Sequence, residues 1–142
     1  MVYLPNSTSD GSTWNLVTAT AGWSARSGHT SVVYDNKMFV MGGVDSSSKF
    51  HDVWSSSDGS TWNLVTATAG WSTRYSHNSI VYDNQIFVMG GYDGSRLNDV
   101  WSSSDGSTWN LVTATAGWSA RNDFTSVVYD NQMFVMGGKR VK

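Results

Sequence analysis

HTSVVYDNKMFVMGG (29–43) and DVWSSSDGSTWNLVTAT (52–68) decide how this chain folds. HTSVVYD is rich in β-branched residues and reads as a strand. Asp35-Asn36 then reads as a two-residue hairpin turn, because both residues tolerate a positive φ. MFVMGG (38–43) is a second strand, DVWSSS (52–57) a third, and TWNLVTAT (61–68) a fourth. Asp58-Gly59, between the last two, is the strongest hairpin signal of the stretch. The apolar character of SVVY and MFVM is continuous rather than alternating, which fits sheets covered on both faces. No window carries a 3.6-residue apolar stripe with caps, so the chain is expected to be all-β.

Working outward, the same pattern recurs. Trp14, Trp62 and Trp109 are 48 and 47 residues apart, and Trp23, Trp71 and Trp118 keep those intervals. Gly42-Gly43, Gly90-Gly91 and Gly137-Gly138 do the same. Asp52–Ser72 is repeated letter for letter at Asp99–Ser119, and its later part stands at Asp10–Ser24. Identity this high points to recent amplification or to a deliberately repeated design. Four strands per period of about 47 residues is the pattern of a β-propeller blade.

The spacing of Arg26, Gly28-His29, Gly42-Gly43 and Thr61-Trp62 resembles the kelch repeat. The second unit keeps Arg74, His77, Gly90-Gly91 and Thr108-Trp109. The third keeps Arg121 and Gly137-Gly138 but has Phe124 in place of the histidine. The inserted Ala21-Gly22-Trp23, twice repeated, departs from the usual kelch form. SSDGSTW (56–62) also resembles the Asp-box of sialidase-type propellers, although it is one residue short between Asp58 and Gly59. The reading preferred is a plain turn held by Asp and Ser hydrogen bonds.

Composition excludes several chemistries. The 142 residues carry 9 Lys and Arg against 11 acidic residues, a net charge of −2. That balance lacks the basic face that nucleic acid requires. The absence of cysteine excludes disulfides, thiolate metal sites and cysteine nucleophiles. It also removes the Tyr–Cys cofactor that a resemblance to galactose oxidase would imply. Every acidic residue is Asp, so the Glu of sialidase-like chemistry is missing. No apolar run approaches the roughly 20 residues of a membrane span, and MVYLPNSTSD lacks the features of a secretory signal. The chain is expected to be soluble and non-enzymatic, with no catalytic residues, metal or cofactor. His29 and His77 are expected to bond backbone of the next blade rather than a metal. Trp23, Trp62, Trp71, Trp101, Trp109 and Trp118 lie in identical repeated segments and read as filling between blades.

The boundaries predict two whole blades, 21–68 and 69–115, flanked by half blades at 1–20 and 116–142. Three blades cannot close, and propellers carry 4 to 8. The expectation is a six-bladed ring built as a homodimer, in which strands 123–138 of one copy pair with the N-terminal hairpin (about 3–18) of the other. The function expected is that of a building block that closes upon itself. The alternative is a carbohydrate- or peptide-binding propeller. Differences between units concentrate after the recurring Arg and after Gly-Gly, and these two stretches are expected on one face. By the kelch resemblance, Ser27, Tyr75, Asn122, Val44 and Tyr92 are the ligand-binding candidates for a small polar ligand or peptide. Arg26, Arg74 and Arg121 recur in every unit and therefore read as architectural; by the kelch resemblance they would also supply charge around the channel mouth. Loops that merely tolerate change give the same pattern.

Overall fold

The structure, a computed structural model, describes residues 5–140; residues 3 and 4 of the expected N-terminal hairpin lie outside them. Among the described residues every regular element is a strand. Strands β1 (Asn6–Ser7) and β2 (Asn15–Leu16) form a short hairpin. A four-stranded antiparallel sheet follows: β3 (Thr30–Tyr34), β4 (Lys37–Val44), β5 (Lys49–Ser56) and β6 (Asn63–Thr66), in that spatial order. The second unit repeats it with β7 (Asn78–Tyr82), β8 (Gln85–Tyr92), β9 (Arg96–Ser103) and β10 (Asn110–Thr113). The third holds β11 (Arg121–Asn122), β12 (Thr125–Tyr129), β13 (Gln132–Met136) and β14 (Lys139–Arg140). There β12 pairs with β13, and β11 with β14.

The turns form as the sequence expects. Asp35 and Asn36 have φ of 47° and 54°, and Asp83-Asn84 and Asp130-Asn131 repeat these values within a few degrees. Two positive φ angles give the hairpin the twist that matches its strands. The third strand begins earlier than expected, at Lys49 rather than Asp52. The register slips between Met41 and Gly43, and the ladder then resumes with Gly43 opposite Phe50 and Val44 opposite Lys49. Glycine is required here: a Cβ on Gly43 would stand 2.9 Å from both the His29 Cβ and the Ser27 carbonyl oxygen.

Neighbouring sheets join by one repeated contact. Tyr34, Phe39 and Met41 of the first sheet pack with Trp71, Ile86, Val88 and Trp109 of the second. Phe39 lies over the turn glycine of the next sheet, so a Cβ on Gly106 would come within 2.6 Å of its ring. The Tyr34 hydroxyl stands 2.9 Å from the Asn84 and Ser104 carbonyls, donating to one at a time. The second joint is homologous: Tyr82, Phe87 and Met89 pack with Trp118, Phe124, Met133 and Val135, and the Tyr82 hydroxyl donates to the Asn131 carbonyl at 2.9 Å. Trp71 and Trp109 are therefore core, and Trp118 packs against the second joint, because each sheet alone cannot bury its apolar face.

Candidate functional site

The two variable stretches of each unit meet as expected, and they meet in pairs. Ser27 bridges Val44, Tyr75 bridges Tyr92, and Asn122 pairs with Lys139, each antiparallel. The backbone at the equivalent positions Gly28, Ser76 and Asp123 is left-handed, with φ of 61°, 52° and 55°. These positions lace the units together: Ser76 N–H donates to the Gly28 carbonyl at 2.8 Å, and Asp123 N–H to the Ser76 carbonyl at 3.0 Å. The Tyr75 and Tyr92 rings meet edge to face, 5.5 Å between centroids. Lys49 Nζ lies 5.6 Å from the Tyr92 ring centre and donates to the Asp93 carbonyl. Asn122 is buried and accepts from Arg96 Nε at 3.0 Å, so it is a joint between units rather than an open contact. Ser27 is exposed; Tyr75, Tyr92 and Val44 are half-buried.

Two of the three arginines are held inside the fold, in line with an architectural role, and are not free charges at a channel mouth. Arg26 and Arg74 are buried. Arg26 forks Asp52 at 2.5 and 3.0 Å and donates to the Gly42 carbonyl at 2.9 Å. Arg74 forks Asp99 at 2.7 and 2.8 Å and donates to the Gly90 carbonyl at 3.0 Å. Trp54 and Trp101 each add an indole N–H to the same carboxylate at 2.8 Å. Burial pushes Asp99 up, but the Arg74 fork and the Trp101 N–H outweigh it and hold the carboxyl below its usual range. A charge neutralised this completely is a cross-brace, not a free ligand contact. Arg121 differs: it is half-buried and bonds only the Gly137 carbonyl at 2.9 Å and Ser119, with no carboxylate among the described residues. The Asp partners were not singled out from sequence. The signal was there: an Asp follows the Arg by 26 and 25 residues in the first two units.

His77 also departs from expectation. Its Nε2 lies 2.9 Å from the hydroxyl of Thr30 in the preceding sheet, not from a backbone group. Burial, with Arg74 beside it, pushes its pKa down to about 3, so the ring is neutral. His29 is lowered by the same two causes, burial and Arg26. Among the described residues no three His or Asp side chains gather at metal-binding distance. The SSDGSTW hairpin is a hydrogen-bonded turn. Asp58 accepts from Ser60 N–H and Thr61 N–H at 2.8 Å each, Ser56 Oγ accepts from Gly59 N–H at 2.8 Å, and Trp62 Nε1 donates to the Gly59 carbonyl at 2.9 Å. These backbone donors lower the Asp58 pKa.

The model of the KLHDC2/KLHL20/DRC7 Kelch-repeats domain matches residues 2–138. The chain belongs to the kelch repeat family. No curated protein matches it at a significant level. The antiparallel four-stranded sheets, packed face to face in series, and the kelch match together fit a β-propeller. In this kelch chain Arg26 and Arg74 make the same bonds to Gly-Gly and Asp in the first two units.

One joint is open at both ends of the kelch series. The residues equivalent to the buried Tyr34, Phe39 and Met41 are Tyr129, Phe134 and Met136, which are 73%, 39% and 46% exposed. At the other end lies a cavity of about 490 Å³, lined in part by Trp23, Val32, Val33, Met38, Val40 and Trp62. Their counterparts in the second kelch unit are Trp71, Val81, Ile86, Val88 and Trp109, which receive the first unit, and Ile80, which packs in the following joint around Phe87. Among the described residues the first unit therefore presents a receptor cavity and the third an unburied insert of matching type.

Proposed function

We propose that this kelch chain is a non-enzymatic interaction module that completes its propeller by pairing with a second copy of itself. The observation that carries the reading is the match between the 490 Å³ cavity beside Trp23 and Trp62 and the exposed Tyr129, Phe134 and Met136. The same residue types fill the same kind of site twice within the chain. In the dimer, Phe134 of one copy lies over Gly59 of the other, as Phe39 lies over Gly106. The Tyr129 hydroxyl then reaches the carbonyls of Asn36 and Ser57. Two copies of three units give six blades, inside the range that propellers adopt, and an isologous pair closes without leaving further open faces. Folding and association are then coupled. Native mass spectrometry at micromolar concentration tests this. A dimer is expected; a monomer overturns the reading, and a trimer overturns the six-bladed count.

A second reading rests on the Tyr75–Tyr92 pair beside Lys49. Edge-to-face tyrosines flanked by a cation make a rim suited to a small polar ligand or peptide. A glycan and peptide screen, repeated on the Tyr75→Ala, Tyr92→Ala double variant, checks it. A ligand held equally well by that variant binds elsewhere.

A further inference from the structure

Several residues that differ between the units meet each other across the joints. Strands β3, β7 and β12, which open the three units, run side by side. Alternation along β7 sends Val81 to the joint with the first unit and Ile80 to the joint with the third. By the same period of two, His77 and Ser79 face the first unit and Asn78 faces the third.

The two joints are bolted by different groups. In the first, the Thr30 hydroxyl lies 2.9 Å from His77 Nε2. In the second, Asn78 stands where Thr30 stood, and Phe124 where His77 stood. Asn78 Nδ2 donates to the Phe124 carbonyl at 3.0 Å, and its Oδ1 accepts from the Ser126 hydroxyl. One amide therefore holds two groups of the next unit. Thr30 has a single hydroxyl and turns it to the imidazole. The hydroxyl of Ser79, the counterpart of Ser126, is buried with no partner among the described residues.

The two rings fill equivalent sockets. A Cβ on Gly42 would stand 2.8 Å from His77 Cε1, and one on Gly90 would stand 3.0 Å from Phe124 Cε1. Shape therefore does not tell the rings apart; the polar residue of the preceding unit does. A second pair of positions follows suit. Lys49 donates to the Asp93 carbonyl, whereas its counterpart Arg96 donates through Nε to the Asn122 side chain at 3.0 Å.

We propose that these varying residues are a matching code that decides which unit stands against which. Thr30 selects a neighbour with His in the socket. Asn78 selects a neighbour with Phe in the socket and a free serine hydroxyl two residues on. The apolar packing is alike at both joints and carries no such choice. Repeat chains misassemble by exchanging equivalent units. A wrong neighbour would fill the same apolar socket but leave buried polar groups unpaired, and that penalty exceeds what a correct bond gains. The code operates between units of one chain and does not rest on self-pairing.

A set of exchanges in the full chain tests it, read by urea unfolding at neutral pH and one protein concentration. Asn78→Thr and Phe124→His should each raise the unfolding equilibrium constant about tenfold. Together they rebuild the first bolt at the second joint, and the constant should return to within about threefold of the parent. Thr30→Asn with His77→Phe rebuilds the second bolt at the first joint and gives Ser79 a partner; it should also stay within about threefold. Thr30→Asn with Phe124→His alters two different joints and should show the product of its single effects. The code is overturned if the matched pairs also show only that product, or if the single changes have no effect. Where a single variant does not fold, the matched pair decides: a folded pair supports the code, and an unfolded one overturns it.

Discussion

Thr-Ser-Val-Val-Tyr occurs twice in this chain, as β3 and as β12, with the same turn and nearly the same second strand after it. In both places the five residues form a hairpin with identical pairing. Yet Tyr34 is buried and Tyr129 is among the most exposed large side chains of the protein. Local structure is therefore set by the local sequence, through turn chemistry and strand propensity. Burial is set by whichever sheet stands next. In a repeat fold stability is a sum over such neighbour contacts, so equal sequences contribute unequally according to position.

Truncating the insert breaks this comparison most forcefully. Met41→Ala and Trp71→Ala should each cost about 3–5 kcal/mol in urea unfolding, as lost transfer energy plus a cavity. Met136→Ala should cost less than about 1 kcal/mol when the chains are separated. Under the proposed self-pairing that small effect grows to the Met41 value as protein concentration rises. An effect at Met136 that stays small at every concentration separates the two hairpins for good and breaks the ring.

The arginines provide the next contrast. Arg74→Ala leaves Asp99 part-buried and unpaired, and should cost about 3 kcal/mol or more. Arg121→Ala removes a half-exposed group without a carboxylate, and should cost less than about 1 kcal/mol in thermal melts. Equal losses would mean that the fork to Asp99 contributes nothing beyond its carbonyl and serine bonds.

Acid sharpens the comparison between the His77 joint and the Phe124 joint. The folded-state pKa of His77 lies near 3, below the ordinary 6.5, so the unfolded chain binds a proton that the folded chain refuses. Its contribution is fully present above pH 6.5 and is lost progressively as the pH falls toward 3. Carboxylates such as Asp99, also lowered, add their loss only below about pH 4. Melting temperature should therefore fall between pH 7 and pH 5. His77→Phe, which copies the third unit where Phe124 packs against Trp118, should flatten that decline. An unchanged slope would assign the titration to another group.

The smallest effect should be the same in both regions. Asn84→Ala and Asn131→Ala each place alanine at a positive φ, which costs about 1 kcal/mol. The two losses should agree in chemical denaturation, because the strain lies within the turn.

Much of the site was legible because repetition makes differences visible. The pairing of Ser27 with Val44 and of Tyr75 with Tyr92 follows from where the units vary and from the up-and-down order of strands. The recurrence of the arginines marks them as architectural, but it does not name their partner. That depends on whether an Asp about 26 residues away folds back beside each one, which sequence spacing does not reveal.

The amino-acid sequence alone determined the main strands, the paired positive-φ turns and the kelch repeat. Each depends on residues that are neighbours in the chain or in one hairpin, where covalent geometry and turn preference decide the outcome. Only the tertiary structure decided which Tyr-Phe-Met insert is buried, which Arg is satisfied and where the cavity lies. Those follow from contacts between sheets, and a sheet's own sequence does not state what packs against it. Arg74 and Arg121 have the same local bonds to glycine and serine, and the strand beyond them makes one a buried brace and leaves the other open.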